Sequence, residues 1–283
     1  MSTIKKFLNL IFIDGLSGMA LGLFSTLIIG TILKQAADLI GGDFGYYLGV
    51  FAVMAQRLTG AGIGIGVAYK YKSSTYVTLS AAAAGMIGAY ATAIISGSIL
   101  SDGALVYSGP GDPLSAFIAA LAGIAVGSLP AGKTKLDLLI TPAVTIIAGG
   151  AVGIIVGPPV STIMTRLGDI INWGTVQQPL IMGIVVSVIM GMVLTLPISS
   201  AALGIILGLS GPAATIGCCC QMIGFAVASF RENGVGGLLA QGIGTSMLQV
   251  PNIIRHPQIW IPEILSSAIL GPIAISRFCW HDQ

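Results

Sequence analysis

Charge is what this sequence has least of. Lysine and arginine number 12 and aspartate and glutamate 10, together 8% of 283 residues, against roughly a quarter in soluble domains. A soluble fold is excluded, because so few charges would not keep so apolar a chain in solution. The net charge of +2 forms no basic stripe, which excludes nucleic acid as a partner. Histidine occurs only at His256 and His281, with no nucleophile elbow, so no hydrolase arrangement survives. No Walker motif is present, so these residues do not themselves couple ATP to transport. Three of the four cysteines are contiguous, Cys218, Cys219 and Cys220. That is no disulfide framework, and neighbours on one helix point in different directions, so the three cannot share a metal. No cofactor is expected.

What the sequence has in abundance is apolar residues, 55%, and 40 glycines, which let helices approach closely in lipid. The expectation is an all-α, polytopic transmembrane helical bundle of about eight to ten membrane segments. Residues 7–33 form the first span, a run too long for a signal-peptide core and without a small-residue cleavage site. Asp14 lies inside it and either faces a wet cavity or partner, or N-caps the true span. Residues 44–55 are apolar but short. Glycine then occupies every second position, Gly60, Gly62, Gly64 and Gly66, which suits tight packing or a re-entrant segment. Further spans are expected at 76–100, 114–129, 138–156 and 180–196. The loop 101–112 has no lysine or arginine and is expected outside, whereas Lys133 and Lys135 mark a cytoplasmic loop. Asp137 is expected in a local salt bridge. Gly157-Pro158-Pro159 is expected to stop a helix, and 161–173 to lie as an amphipathic helix at the outer interface.

The chain is organised around residues 191–272, where apolar runs are broken by glycine, proline and serine and the few charges sit at the breaks. Pro197 frees a carbonyl one turn earlier, and Ser199 and Ser200 add hydroxyls. Pro251, Pro257 and Pro262 leave Asn252, His256 and Glu263 at the breaks of the closing segment. Freed backbone is tolerated in a bilayer only where protein or a wet cavity satisfies it, and transporters place their binding sites at such segments. The candidate substrate-binding residues are Ser199, Ser200, Asn252, His256, Glu263, Arg231 and Asp14; no catalytic or metal-binding residue is expected. Blander roles compete: Glu263 as a cap of the last helix, His256 in a loop, Arg231 beside lipid headgroups. Gln221 and Gln241, inside apolar runs, donate either to a solute or to a neighbouring helix.

Two stretches align loosely. Gly18-Met19-Ala20-Leu21 matches Gly191-Met192-Val193-Leu194, and Arg57-Leu58-Thr59-Gly60-Ala61-Gly62 matches Arg231-Glu232-Asn233-Gly234-Val235-Gly236 at nearly equal spacing. Loop charges send the two opening spans in opposite directions. The expectation is a single integral membrane domain, 1–283, with inverted repeats at 14–100 and 184–280 linked by spans in 113–180.

Several longer motifs carry a family resemblance. They are Lys133-Thr134-Lys135-Leu136-Asp137 through Thr141-Pro142, Val156-Gly157-Pro158-Pro159, and Gln178-Pro179-Leu180-Ile181-Met182-Gly183. Leu194-Thr195-Leu196-Pro197-Ile198-Ser199-Ser200-Ala201-Ala202 and Asn252-Ile253-Ile254-Arg255-His256-Pro257 complete the set. Together they resemble the enzyme IIC-like membrane family of the bacterial phosphotransferase system, and within it the branch of the membrane regulator of perfringolysin production. The resemblance covers almost the whole chain. It implies a permease-like fold in the bacterial inner membrane, a homodimer, and a small polar solute such as a sugar or organic anion. It also implies separate IIB and IIA partners for any phosphorylation. Glu263 is the nearest candidate for that family's sugar-binding glutamate, although the Gly-Ile-Thr-Glu motif is missing. The function expected is an alternating-access permease, with a membrane sensor or a passive channel as alternatives.

Overall fold

The computed structural model describes residues 10–101, 103–134, 136–177, 179–196 and 212–278. Apart from one hairpin, Leu100–Ser101 paired antiparallel with Ala104–Leu105, the elements among the described residues are helical. The chain divides into two compact units, Met1–Ser161 and Thr162–Gln283.

The first unit begins with a π-helical turn, Leu10–Gly15, and α1, Leu16–Ile40, whose middle at Phe24–Ile28 is again π-helical. There the hydroxyls of Ser25 and Thr26 turn back to the carbonyls of Leu21 and Gly22, at 2.9 and 2.8 Å, competing with the helical ladder. Gly41 and Gly42, both at positive φ, turn the chain into α2, Gly42–Arg57. α2 and α3, Thr59–Lys70, meet at Leu58 with a 55° bend. The alternating glycines serve two faces of α3. Gly62 and Gly66 back onto Gly22 and Gly18 of α1, while Gly60 and Gly64 back onto Gly85 and Ala81 of α4, Thr75–Ala89. A methyl on Gly60 would stand 2.7 Å from the Gly85 carbonyl oxygen. Of the two uses the pattern allows, these glycines serve close packing, and the bend lies just before them.

The span expected at 76–100 ends early, because a loop returns onto it. The Asp112 N–H donates to the Ala89 carbonyl at 2.8 Å, and Gly111 packs on the same residue. Tyr90 leaves helical geometry, the short α5, Ala91–Ile95, follows, and the Tyr90 hydroxyl donates to the Gly109 carbonyl at 2.6 Å. That hydroxyl also lies 3.2 Å from the Arg57 carbonyl, freed at the α2–α3 bend. Asp112 then caps α6, Pro113–Gly127, accepting from the Leu114 N–H at 3.1 Å.

A second correction concerns α7, Asp137–Gln177, which runs through Pro158 and Pro159 instead of stopping there. Residues 161–173 therefore continue a longer helix and are not a separate one. The prolines unbond only the carbonyls one turn back. Gly149, Gly153 and Gly157 meanwhile seat the helix on Ala84, Gly88 and Ala91, and that close packing holds its course. Asp137 accepts the Thr141 hydroxyl; Lys135, an expected ion-pair partner, lies outside the described residues.

In the second unit α8, Pro179–Thr195, α9, Pro212–Ala228, and α12, Ile261–Phe278, pack against one another. Met182, Val186, Met190 and Val193 of α8 meet Ala213 and Ala214 of α9. Between α9 and α12 the chain is broken into α10, Phe230–Leu239, a π-helical turn, Ala240–Gly244, and a 3₁₀ turn, Ser246–Gln249. α11, Val250–Arg255, and a second 3₁₀ turn, Pro257–Trp260, complete it. Gly234 kinks α10 at φ 57°, and no atom approaches a methyl built on Gly234 or Gly236. These glycines thus work differently from Gly60 and Gly62, with which they align.

α1 and Asp137–Ile163 of α7 are long and apolar enough to cross a membrane, and the bent α2–α3 pair is apolar enough to form either a broken span or a re-entrant loop. Shorter apolar helices, Thr75–Ala89, Pro113–Gly127, Leu180–Thr195 and Ala213–Ala228, accompany them. The protein is a multi-pass, all-α membrane protein.

Candidate functional site

The second unit holds a polar cluster in an otherwise apolar core. No charged residue occurs between 180 and 230, and α8 and α9 supply only small, apolar and uncharged polar side chains to it. Glu263, on the first turn of α12, is 2% exposed, and Gln221 of α9 is fully buried. The Gln221 Oε1 accepts the Trp260 indole N–H at 2.9 Å and the Thr195 hydroxyl at 3.2 Å. Thr195 also shares a 2.8 Å hydrogen bond with Ser246. Gly224, one turn after Gln221, makes room for the Glu263 arm, since a methyl there would stand 2.7 Å from its Cγ. Two atoms remain without a partner among the described residues: Nε2 of Gln221 and Oε2 of Glu263. Buried polar atoms are nearly always bonded, and an orphan costs about 1–3 kcal/mol. One orphan donor and one orphan acceptor in this cluster are therefore a feature in need of a function.

A second polar region opens as a cleft of about 360 Å³ lined by Ser229, Glu232, Asn233, Gln249, Asn252 and His256, with Phe225, Ala228 and Ile259 as apolar wall. A chain of amides supports it. Asn252 Nδ2 donates to Gln249 Oε1 at 2.8 Å, Gln249 Nε2 to Gln241 Oε1 at 2.9 Å, and Gln241 Nε2 to the Ser229 hydroxyl at 3.0 Å. Gln241 and Gln249 are both buried.

The expected site residues are thus distributed. Asn252 and His256 come together in the cleft, and Glu263 lies in the buried cluster. Arg231 is exposed on α10 next to the cleft residue Glu232 without lining the cleft. Ser199 and Ser200 lie outside the described residues. Asp14 belongs to the first unit, exposed on the opening π-helical turn; the N-cap of α1 is Gly15, with no side-chain bond. Its charge acts on Tyr71, whose hydroxyl is pushed up to about 12 by burial first and by Asp14 second. Thr195, Ser246 and Gln249 are not among the residues that the sequence marks out. Gln221 and Gln241 are, as polar residues in apolar runs, but without a place in the site. Cys218, Cys219 and Cys220 are free thiols on α9.

The family model described as "Phosphotransferase system, EIIC" matches residues 13–277. The chain belongs to that family. No curated protein and no solved structure matches it significantly. As an EIIC membrane component, the protein is of transporter type. Its second unit presents one donor and one acceptor within a buried helix core and, separately, an open polar cleft. That chemistry binds and orients a ligand.

Proposed function

We propose that this EIIC chain is a permease that binds one small, neutral, polyhydroxylated solute at Gln221 and Glu263 and passes it across the bacterial inner membrane by alternating access. The observation that carries this is the pair of buried orphan atoms, Gln221 Nε2 and Glu263 Oε2. A hydroxyl group both accepts and donates, so one or two neighbouring hydroxyls of a sugar or polyol satisfy both atoms. The Trp260 indole, tied to Gln221, adds an amphipathic ring. An organic anion suits the pair less well, because a carboxyl group faces it from a stretch without cations. Ser199 and Ser200, close to Thr195 in sequence, and Arg231 and Asp14 stand as further candidate solute contacts of the permease, apart from the pair. The inverted repeats 14–100 and 184–280 supply the two alternating halves, and a homodimer is the working assembly. Phosphorylation, where it occurs, is performed by a separate IIB protein.

Counterflow of tritiated hexoses into proteoliposomes, with and without a proton gradient, tests the reading. Wild type accumulates label, whereas Gln221→Leu and Glu263→Gln do not. Binding without any counterflow would assign the chain to a membrane sensor, and unsaturable flux would assign it to a channel. Counterflow unchanged in both variants sinks the site.

A further inference from the structure

The buried cluster and the cleft share structural elements in an ordered way. On α9, Gln221, Gly224, Phe225 and Ala228 fall at the i, i+3, i+4, i+7 spacing of one helix face. Gln221 and Gly224 serve the buried pair, while Phe225 and Ala228, continued by Ser229, line the cleft. The opposite wall has the same order: His256 and Ile259 line the cleft, and Trp260 and Glu263 serve the pair. The short 3₁₀ turn between Ser246 and Gln249 repeats it. Ser246 bonds Thr195 in the cluster, Gln249 lines the cleft, and residues three apart in a 3₁₀ helix lie on the same side. Three separate elements thus each contribute to both places, and Phe225 and Ile259 of the cleft directly follow Gly224 and precede Trp260 of the cluster in sequence.

We infer that the cleft is a second, weaker subsite for the same class of neutral polyhydroxylated solute, separated from the buried pair by Phe225 and Ile259. This rests on the reading of the buried pair as a solute site. The amide chain fixes what the cleft offers. Asn252 donates to Gln249, so its Oδ1 is left to accept; Ser229 accepts from Gln241, so its hydroxyl is left to donate. Glu232 adds an acceptor, Asn233 an amide, and Phe225 an apolar face for the C–H side of a ring. Donors and acceptors alternate around an apolar wall, the complement of a ring carrying several hydroxyls. The cleft is open, so a ligand there exchanges water contacts for protein contacts at small gain. The buried pair has no such competition.

Equilibrium binding of tritiated D-glucose, D-galactose and D-mannitol to the full chain in nanodiscs tests this. At least one probe should bind in two phases, approaching about two equivalents, with affinities at least tenfold apart. Glu232→Ala, an exposed truncation that spares the fold, and Asn252→Leu should each weaken the second phase about tenfold and leave the first unchanged. Gln221→Leu should abolish the first phase and leave the second. A single phase of one equivalent, lost in Gln221→Leu and untouched by both cleft variants, overturns the second subsite while keeping the buried one. Tight binding that survives Gln221→Leu but not the cleft variants overturns the buried site and with it the two-step path. No binding of any probe overturns both.

Discussion

Replacing Gly224 with alanine asks whether the Glu263 carboxyl group is held there for a ligand or for the fold. The new methyl stands 2.7 Å from Cγ of Glu263 and 3.3 Å from Oε1, whereas ordinary contact begins at 3.4 Å, so the arm must retreat by about 0.7 Å. Cγ lies near the root of the arm, so α12 yields slightly as the carboxyl group swings away, at the low end of the roughly 1–3 kcal/mol that overpacking costs. Alanine also gains about 1 kcal/mol over glycine inside a helix. Stability should therefore change by less than about 1 kcal/mol. Gly217 provides the contrast, because a methyl there would overlap the backbone of Ser187 and push α9 away from α8. Such overpacking costs about 1–3 kcal/mol. For the ligand the order reverses. A displaced carboxyl group forfeits about 1–3 kcal/mol of buried hydrogen bonding, or roughly 5- to 150-fold in Kd. Both variants are to be measured by thermal melting in detergent and by hexose binding in nanodiscs. Gly224→Ala should melt like wild type and bind poorly; Gly217→Ala should melt early. Equal melting losses, or an affinity of Gly224→Ala within about threefold of wild type, would refute the reasoning.

Three further outcomes are expected. Tyr90→Phe removes the bond to Gly109, weakening the hold on residues 101–112 by about 1 kcal/mol; amide exchange there should quicken while α3 and α4 are unchanged, and uniform exchange would count against the tie. In a cysteine-free background, Ser108→Cys should react with an impermeant maleimide on intact cells and Lys133→Cys should not, following the lysine–arginine bias; labelling at 133 reverses the assigned topology. Pro158→Ala and Pro159→Ala restore N–H donors within a helix that is already continuous, so each should stabilise the fold, by up to about 3 kcal/mol of helix propensity, and raise the melting temperature. A fall would mean that the prolines hold a geometry a regular helix lacks.

What the sequence made legible was whatever departs from the composition of lipid-facing helix. Glu263 stands out because a carboxylate is rare there, and Gln221 because an amide is. Thr195 and Ser246 do not, since hydroxyls are ordinary in membrane helices and bond their own backbone, as Thr26 and Ser25 do. Their meeting brings together residues 51 apart in sequence, a partnership that no local spacing announces. The prolines misled for a related reason. Pro251 and Pro257 do fall at breaks of the chain, at the starts of α11 and of a 3₁₀ turn. Pro158 and Pro159 do not, because the glycine ridge on the same helix outweighs two lost hydrogen bonds. The alternating glycines allow two uses that sequence alone does not separate, because the two differ only in what lies alongside.

Those glycines give α3 an unusual mechanical character. Helices normally mesh like gears, side-chain ridges of one seated in grooves of the other, and the teeth fix both rotation and axial position. Where Gly62 and Gly66 meet α1, and Gly60 and Gly64 meet α4, the teeth are shallow: backbone rests on backbone, with only the Thr26 side chain against Gly62 and the Ala89 Cβ against Gly60. The dispersion contact is kept, but such shallow teeth leave the main registry to be set elsewhere. It is set at the ends, by the bend at Leu58 with Tyr90 against the Arg57 carbonyl, and by Tyr71 against Gly15. α3 is a plain bearing with two end stops, and a single added methyl on either face would act as a brake.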